Sequence, residues 1–85
     1  VLVYPNPVLP DYTGLITIKG LAFDSHVKIV TTNGALVAEG RSNGGSFTWD
    51  GNDQNGQRVA GGMYIVLSAT AEGESSVVTK IAIIR

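Results

Sequence analysis

Apolar residues in this chain come in short bursts that alternate with polar ones, separated by breaks rich in glycine, asparagine and proline. Val1-Leu2-Val3-Tyr4 is the first burst. Pro5-Asn6-Pro7 stops it, because two prolines lack the N–H that a strand ladder needs, and the chain must reverse there. Gly14 to Lys19 places Ile16 and Ile18 on one face and Thr17 and Lys19 on the other, the period-two pattern of a half-buried strand. Val27 and Ile29 flank Lys28 in the same way. Thr32-Asn33-Gly34-Ala35 predicts a hairpin, since Asn-Gly readily takes the positive φ values of a tight primed turn. Ala35 to Glu39 is the return strand. Ser42-Asn43-Gly44-Gly45 breaks the pattern again, and Ser46 to Asp50 follows with Phe47 and Trp49 on one face. After a long polar turn, Met63 to Ala71 is expected to be the longest strand, turned by Glu72-Gly73-Glu74. Val77 to Ile84 closes the chain, with Thr79, Ile81 and Ile83 opposite Lys80.

That makes about seven strands at short, regular spacing, and no window has a helical period. The expectation is an all-β fold, an immunoglobulin-like antiparallel β-sandwich. Eleven glycines suit many tight turns and oppose long helices. The expected core takes Ile16, Ile18, Val27 and Ile29 from the first half. Phe47, Trp49, Tyr64, Val66, Ile81 and Ile83 supply the rest. Tyr64, just after Gly61-Gly62, is a candidate to tie its hydroxyl back to nearby backbone, as a tyrosine does at a sandwich corner.

Eighty-five residues make a single domain spanning 1–85, small enough that its stability margin is thin. With 44% apolar and 15% charged residues it is globular and not disordered. The net charge of −1 is spread along the chain with no basic patch, which argues against a nucleic-acid partner. The absence of cysteine excludes disulfides, thiolate metal sites and a cysteine nucleophile. No apolar run reaches the roughly 18–20 residues that span a bilayer. The chain begins with Val1 and carries no signal peptide, so it reads as a piece of a longer protein.

Candidate chemistry is sparse. Asp50, Asn52, Asp53 and Asn55 precede Gly56 and supply oxygens that calcium favours. Their spacing misses the twelve-residue calcium loop: no register puts both the leading carboxylate and the turn glycine in place, and no glutamate closes it. The simpler account is a turn in which Asn and Asp side chains bond the backbone. His26 follows Asp24 and Ser25, but sequence neighbours do not form a triad, and a solvated strand end is the expectation. Neither glycine-rich segment ends in Gly-Lys-Ser/Thr or opens a helix, so neither is a phosphate loop. A small sandwich also offers no obvious pocket of ligand size, so no small-molecule substrate is expected. The reading is non-enzymatic, with no cofactor and no metal.

The stretch from Trp49 to Tyr64 matches W-D-G-x-D-x-x-G-x-x-V-x-x-G-x-Y, and so resembles the immunoglobulin-like domain of the flagellar hook-capping protein. Val3-Tyr4-Pro5-Asn6-Pro7 matches V-x-P-N-P. Val27-Lys28-Ile29 with Gly34, Leu36 and Val37 matches V-K-I-x-x-x-x-G-x-L-V. Gly62, Tyr64 and Val66 match G-x-Y-x-V, and Lys80-Ile81-Ala82-Ile83-Ile84-Arg85 matches an apolar final strand bounded by cations. In this order and spacing the segments resemble a C-terminal sorting domain of the Bacteroidetes type IX secretion system, over essentially the whole chain.

The resemblance implies an immunoglobulin-like C-terminal domain carried from periplasm to outer membrane, to the cell surface or the medium. It implies recognition by outer-membrane translocon components and a covalently attached N-terminal cargo, with the domain itself a monomer. In many members the domain is cleaved and the cargo joined to a surface lipopolysaccharide. The recognition residues it implies are Pro5, Asn6 and Pro7 together with Lys80, Ile81, Ala82, Ile83, Ile84 and Arg85. By itself, a cation-bounded final strand also reads as an edge guarded against aggregation, or as one that a partner grips by strand addition. The hook-cap character of Trp49 to Val59 leaves an alternative: a retained structural or assembly module at the end of a large β-propeller surface or periplasmic protein, or of a hook-cap-type protein.

Overall fold

The computed structural model describes residues 1–69 and 73–85. Among the described residues there are seven strands: β1 (Leu2–Tyr4), β2 (Ile16–Lys19), β3 (His26–Thr31), β4 (Leu36–Arg41), β5 (Ser46–Trp49), β6 (Gly62–Ala69) and β7 (Ser75–Ile83). Each of the seven expected bursts is a strand. The end of the expected Met63–Ala71 strand, and Glu72 of its turn, lie outside the described residues. Among the described residues β7 is the longest strand, at 9 residues to the 8 of β6.

All the strand pairs are antiparallel and form two sheets, β1-β2-β5 and β4-β3-β6-β7. The sheets pack as a β-sandwich. A constant-type immunoglobulin domain keeps its fourth strand in the other sheet. Here β4 stays beside β3 because the turn between them is too short to let it cross. That turn departs from the expected primed geometry. Gly34 has a φ of 88°, but Asn33 is not left-handed. Thr31 and Ala35 close a three-residue loop instead: the Thr31 N–H donates to the Ala35 carbonyl at 2.9 Å and the Gly34 N–H to the Thr31 carbonyl at 2.9 Å. One glycine at the last loop position suits a three-residue hairpin; a two-residue primed turn would need two left-handed residues.

The alternating pattern decides which side chains meet between the sheets. Ile16, Ile18, Val27, Ile29, Trp49, Tyr64, Val66, Ile81 and Ile83 are all buried in one core. Phe47 is the exception among the expected core residues. It is half-buried, packed on the rim of the core. The reason is geometric: β4 and β5 are the outer strands of their sheets on one side of the sandwich, and among the described residues no strand covers the gap between them. Phe47 leans across that gap onto Gly40, where a Cβ would lie 2.6 Å from its ring. Val3, Val8, Leu21, Val37 and Val59 complete the core from positions outside the expected set.

Candidate functional site

The two chain ends, far apart in sequence, are brought together. Asn6 lies against the outer side of β7, the side that does not face β6. Its Nδ2 donates to the Lys80 carbonyl at 3.1 Å, and its Oδ1 accepts from the Ala82 N–H at 3.1 Å. A side-chain amide thereby takes the place of a peptide group in a strand ladder. Val8 continues the pairing in parallel with Ile83. The Val8 N–H donates to the Ala82 carbonyl at 2.8 Å, and the Ile84 N–H donates to the Val8 carbonyl at 2.8 Å. Pro7, which has no N–H to offer, stands between the two.

This strap changes how the last strand can be read. Lys80 to Ile84 do not offer an open strand edge, because the backbone groups at Lys80, Ala82 and Ile84 just described are bonded to Asn6 and Val8. The side chains divide by the pleat. Ile81 and Ile83 point into the core, Ala82 is half-buried, and Lys80, Ile84 and Arg85 remain exposed. Pro5 is half-buried; Asn6 and Pro7 are exposed. Arg85 is tied inward as well, its Nε donating to the Val59 carbonyl at 3.1 Å.

That last bond leads to the second feature of the site, the loop between β5 and β6. Trp49 Nε1 donates to the Asn52 carbonyl at 2.9 Å at one end of the loop. At the other end the Tyr64 hydroxyl donates to the Ala60 carbonyl at 2.6 Å, the corner bond expected of it. The two rings meet edge to face, with centroids 5.8 Å apart. Val59 is buried in the same core and its N–H donates to the Gly51 carbonyl at 3.1 Å. The acidic side chains of the loop are engaged by its own backbone. Asp50 accepts from the Asn52 N–H at 3.0 Å, and Asp53 accepts from the N–H groups of Asn55 and Gln57 at 2.9 and 3.0 Å. These are the turn bonds that Asp makes locally. Among the described residues no three His, Cys, Asp or Glu side chains are grouped to hold a metal ion.

Asp24, Ser25 and His26 are separated by their environments. Ser25 is buried, its Oγ and the Ser42 Oγ both donating to the Ala22 carbonyl at 3.0 and 2.6 Å. His26 opens β3 on the outer face, with Nε2 2.8 Å from Glu39 Oε1. Asp24 lies 3.4 Å from Arg41 in solvent. Sequence reasoning missed the Ser25–Ser42 pair and the role of Val8; nothing in the local pattern marks a lone Val in a Pro-rich stretch as a strand partner.

A shallow groove of about 590 Å³ opens on the β4/β5 side, floored by Val37, Phe47 and Trp49 and rimmed by Glu39, Asp50 and Asp53. It opens where, among the described residues, the two sheets have no covering strand.

No protein-family model and no curated protein matches the sequence. Among solved structures, a region of PorZ superposes on the domain with a TM-score of 0.85 and 35% identity over 99% of this chain. The domain is similar to part of PorZ. PorZ is described as an essential bacterial surface component of the type-IX secretion system of the human oral bacterium Porphyromonas gingivalis. The chain spans 11% of PorZ's length. The similarity to PorZ agrees with the type IX resemblance drawn from the motifs at the two ends and in the middle.

Proposed function

We propose that the domain is a non-catalytic sorting and anchoring module of the type IX secretion system, recognised at the outer membrane through its joined chain ends. The observation that carries this reading is the similarity to PorZ, a surface component of that system, at 35% identity over 99% of the chain. The ends support it, because Pro5-Asn6-Pro7 and Lys80–Arg85, the segments shared with sorting domains, form one contiguous structure. Recognition then reads the side chains of a finished corner. Strand addition along Lys80–Ile84 would first have to displace Asn6 and Val8. The cargo is the N-terminal protein to which the domain is attached, and the module works at the periplasmic and outer faces of the outer membrane as a monomer.

A second reading is favoured by one feature of the comparison. PorZ is itself a component of the secretion system, so a PorZ-like domain fits equally a module retained on its parent and used in assembly at the surface.

The two are separated by transplanting the 85 residues to the C-terminus of a periplasmic fluorescent reporter in a type IX-competent host. The sorting reading expects fluorescence at the surface or in the medium. Reporter held in the periplasm by a folded domain supports the assembly module instead. Removing Lys80–Arg85 is a poor control, because Ile81 and Ile83 belong to the core and their loss unfolds the domain. A folded block appended after Arg85 is the better one, and it is expected to abolish export.

A further inference from the structure

We propose that the outer face of the four-stranded sheet, at the end where the strap meets β7, is the surface on which a partner protein docks, and that the partner presents apolar side chains ringed by carboxylates. The proposal rests on the sorting reading above and gives it a surface.

The register fixes which side chains share this face. Tyr64 and Val66 of β6 point inward, so Met63 and Ile65 point outward. Met63 stands beside Ala82, and Ile65 stands between Val30 and Lys80. Leu36 extends the row beyond Val30. At the strap, Val8 and Ile83 are neighbours and both are buried, so the next residues, Leu9 and Ile84, emerge together on the outside. Leu36, Met63, Ile84 and Leu9 are 37%, 46%, 44% and 50% exposed. An antiparallel sheet with one face on the core ordinarily turns polar residues outward. Apolar side chains adjacent on that face, unlike scattered ones, mark an interaction site.

Charge identifies the occupant. The strands of this sheet carry three cations, Lys28, Arg41 and Lys80, against one carboxylate, Glu39, in a protein whose net charge is −1. Glu39 is held by His26, and Arg41 by Asp24. Lys28 lies across from Glu39 in the ladder. Among the described residues, Lys28 and Lys80 form no ion pair. The other described carboxylates, Asp11, Asp50, Asp53 and Glu74, lie outside these strands, Glu74 just before β7 at the end of the sheet away from the strap. Arg41 lies at the far end of the sheet, so the cations beside the apolar side chains are Lys80, across from Ile65, and Lys28, two residues along β3 from Val30. An apolar end bearing these cations disfavours a second copy of itself, since like charges would meet, and favours an acidic protein surface. With the Lys80–Ile84 edge occupied by Asn6 and Val8, side chains are what that corner offers to a partner.

The test uses the reporter fusion. Met63→Glu and Lys80→Glu each place a carboxylate where the partner's are expected. Each should lower surface fluorescence by about tenfold or more, the scale of losing one central contact. Thr48→Glu, on the outer face of the other sheet, should export like wild type. Circular dichroism and the thermal midpoint of each purified variant must match wild type, so that misfolding is not scored as lost docking. Wild-type export of both face variants overturns the docking surface and leaves the sorting reading standing. Equal loss in Thr48→Glu also overturns it, since the effect would not belong to this face. Retention of the unsubstituted fusion in the periplasm overturns the sorting reading and removes this partner with it. Purified domain is also mixed with phosphatidylglycerol vesicles. Sedimentation that Met63→Glu and Lys80→Glu abolish would assign the face to a membrane and overturn the protein partner.

Discussion

Trp49 and Tyr64 each combine a buried ring with one hydrogen bond to the loop that joins them, and this gives the W-D-G…G-x-Y pattern its physical meaning. The aromatic positions are corner posts, and the intervening Asp and Gly residues shape the turn. Trp49→Ala removes a 3%-exposed side chain and the anchor of the loop together. The expected cost is roughly 3–5 kcal/mol. A domain this small holds about 5 kcal/mol in all, so urea denaturation should find the variant largely unfolded. Asn6 acts on a smaller scale. Asn6→Ala removes two hydrogen bonds from an exposed site, and the expected loss is about 1–2 kcal/mol. Amide exchange gives the sharper readout. The Ala82 N–H, which donates to Asn6, should exchange roughly tenfold faster in the variant, while the Tyr64 and Val66 amides inside the sheet change only with global stability.

At the scale of elements, the strap and β7 behave as one unit. A final strand with an open edge would be an aggregation hazard, and cations alone guard it weakly. Asn6 and Val8 cover the part of that edge nearest the chain end. On the opposite side of the sandwich, among the described residues, no strand fills the gap between β4 and β5, and Phe47 closes it by lying on Gly40. Gly40→Ala puts a Cβ 2.6 Å from the Phe47 ring, closer than the two can stand, so the ring must shift. The expected effect is a loss of about 1–3 kcal/mol, measured as a lowered thermal midpoint with increased exposure of the phenyl ring. An unchanged midpoint would show that Phe47 does not hold that side together.

For the whole molecule, the strands were legible because a half-buried strand writes its environment into a period of two; Ile16/Ile18, Val27/Ile29 and Ile81/Ile83 could face only inward. Sheet membership was less legible. Pairing of β3 with β6 depends on contacts that no local pattern encodes, whereas the Asn-Gly hairpin signal did place β4 beside β3 and missed only the three-residue geometry of the loop. The candidate site was half visible. Both end segments stood out by composition, but that Asn6 and Val8 close the edge of the last strand depends on a register between residues more than seventy positions apart. The outer-face patch was hidden for the opposite reason: Met63, Leu9 and Ile84 each read as ordinary strand or loop residues until the pairing puts them at one end of the same sheet.

The most direct measurement is protease accessibility of a transplanted reporter. The 85 residues are placed after a periplasmic fluorescent protein in a type IX-competent host, and intact cells are treated with a protease that does not cross the outer membrane. A sorting module predicts reporter that is destroyed in intact cells or recovered from the medium, while reporter without the domain stays protected. Full protection of the fusion, with the domain shown to be folded, would contradict that account.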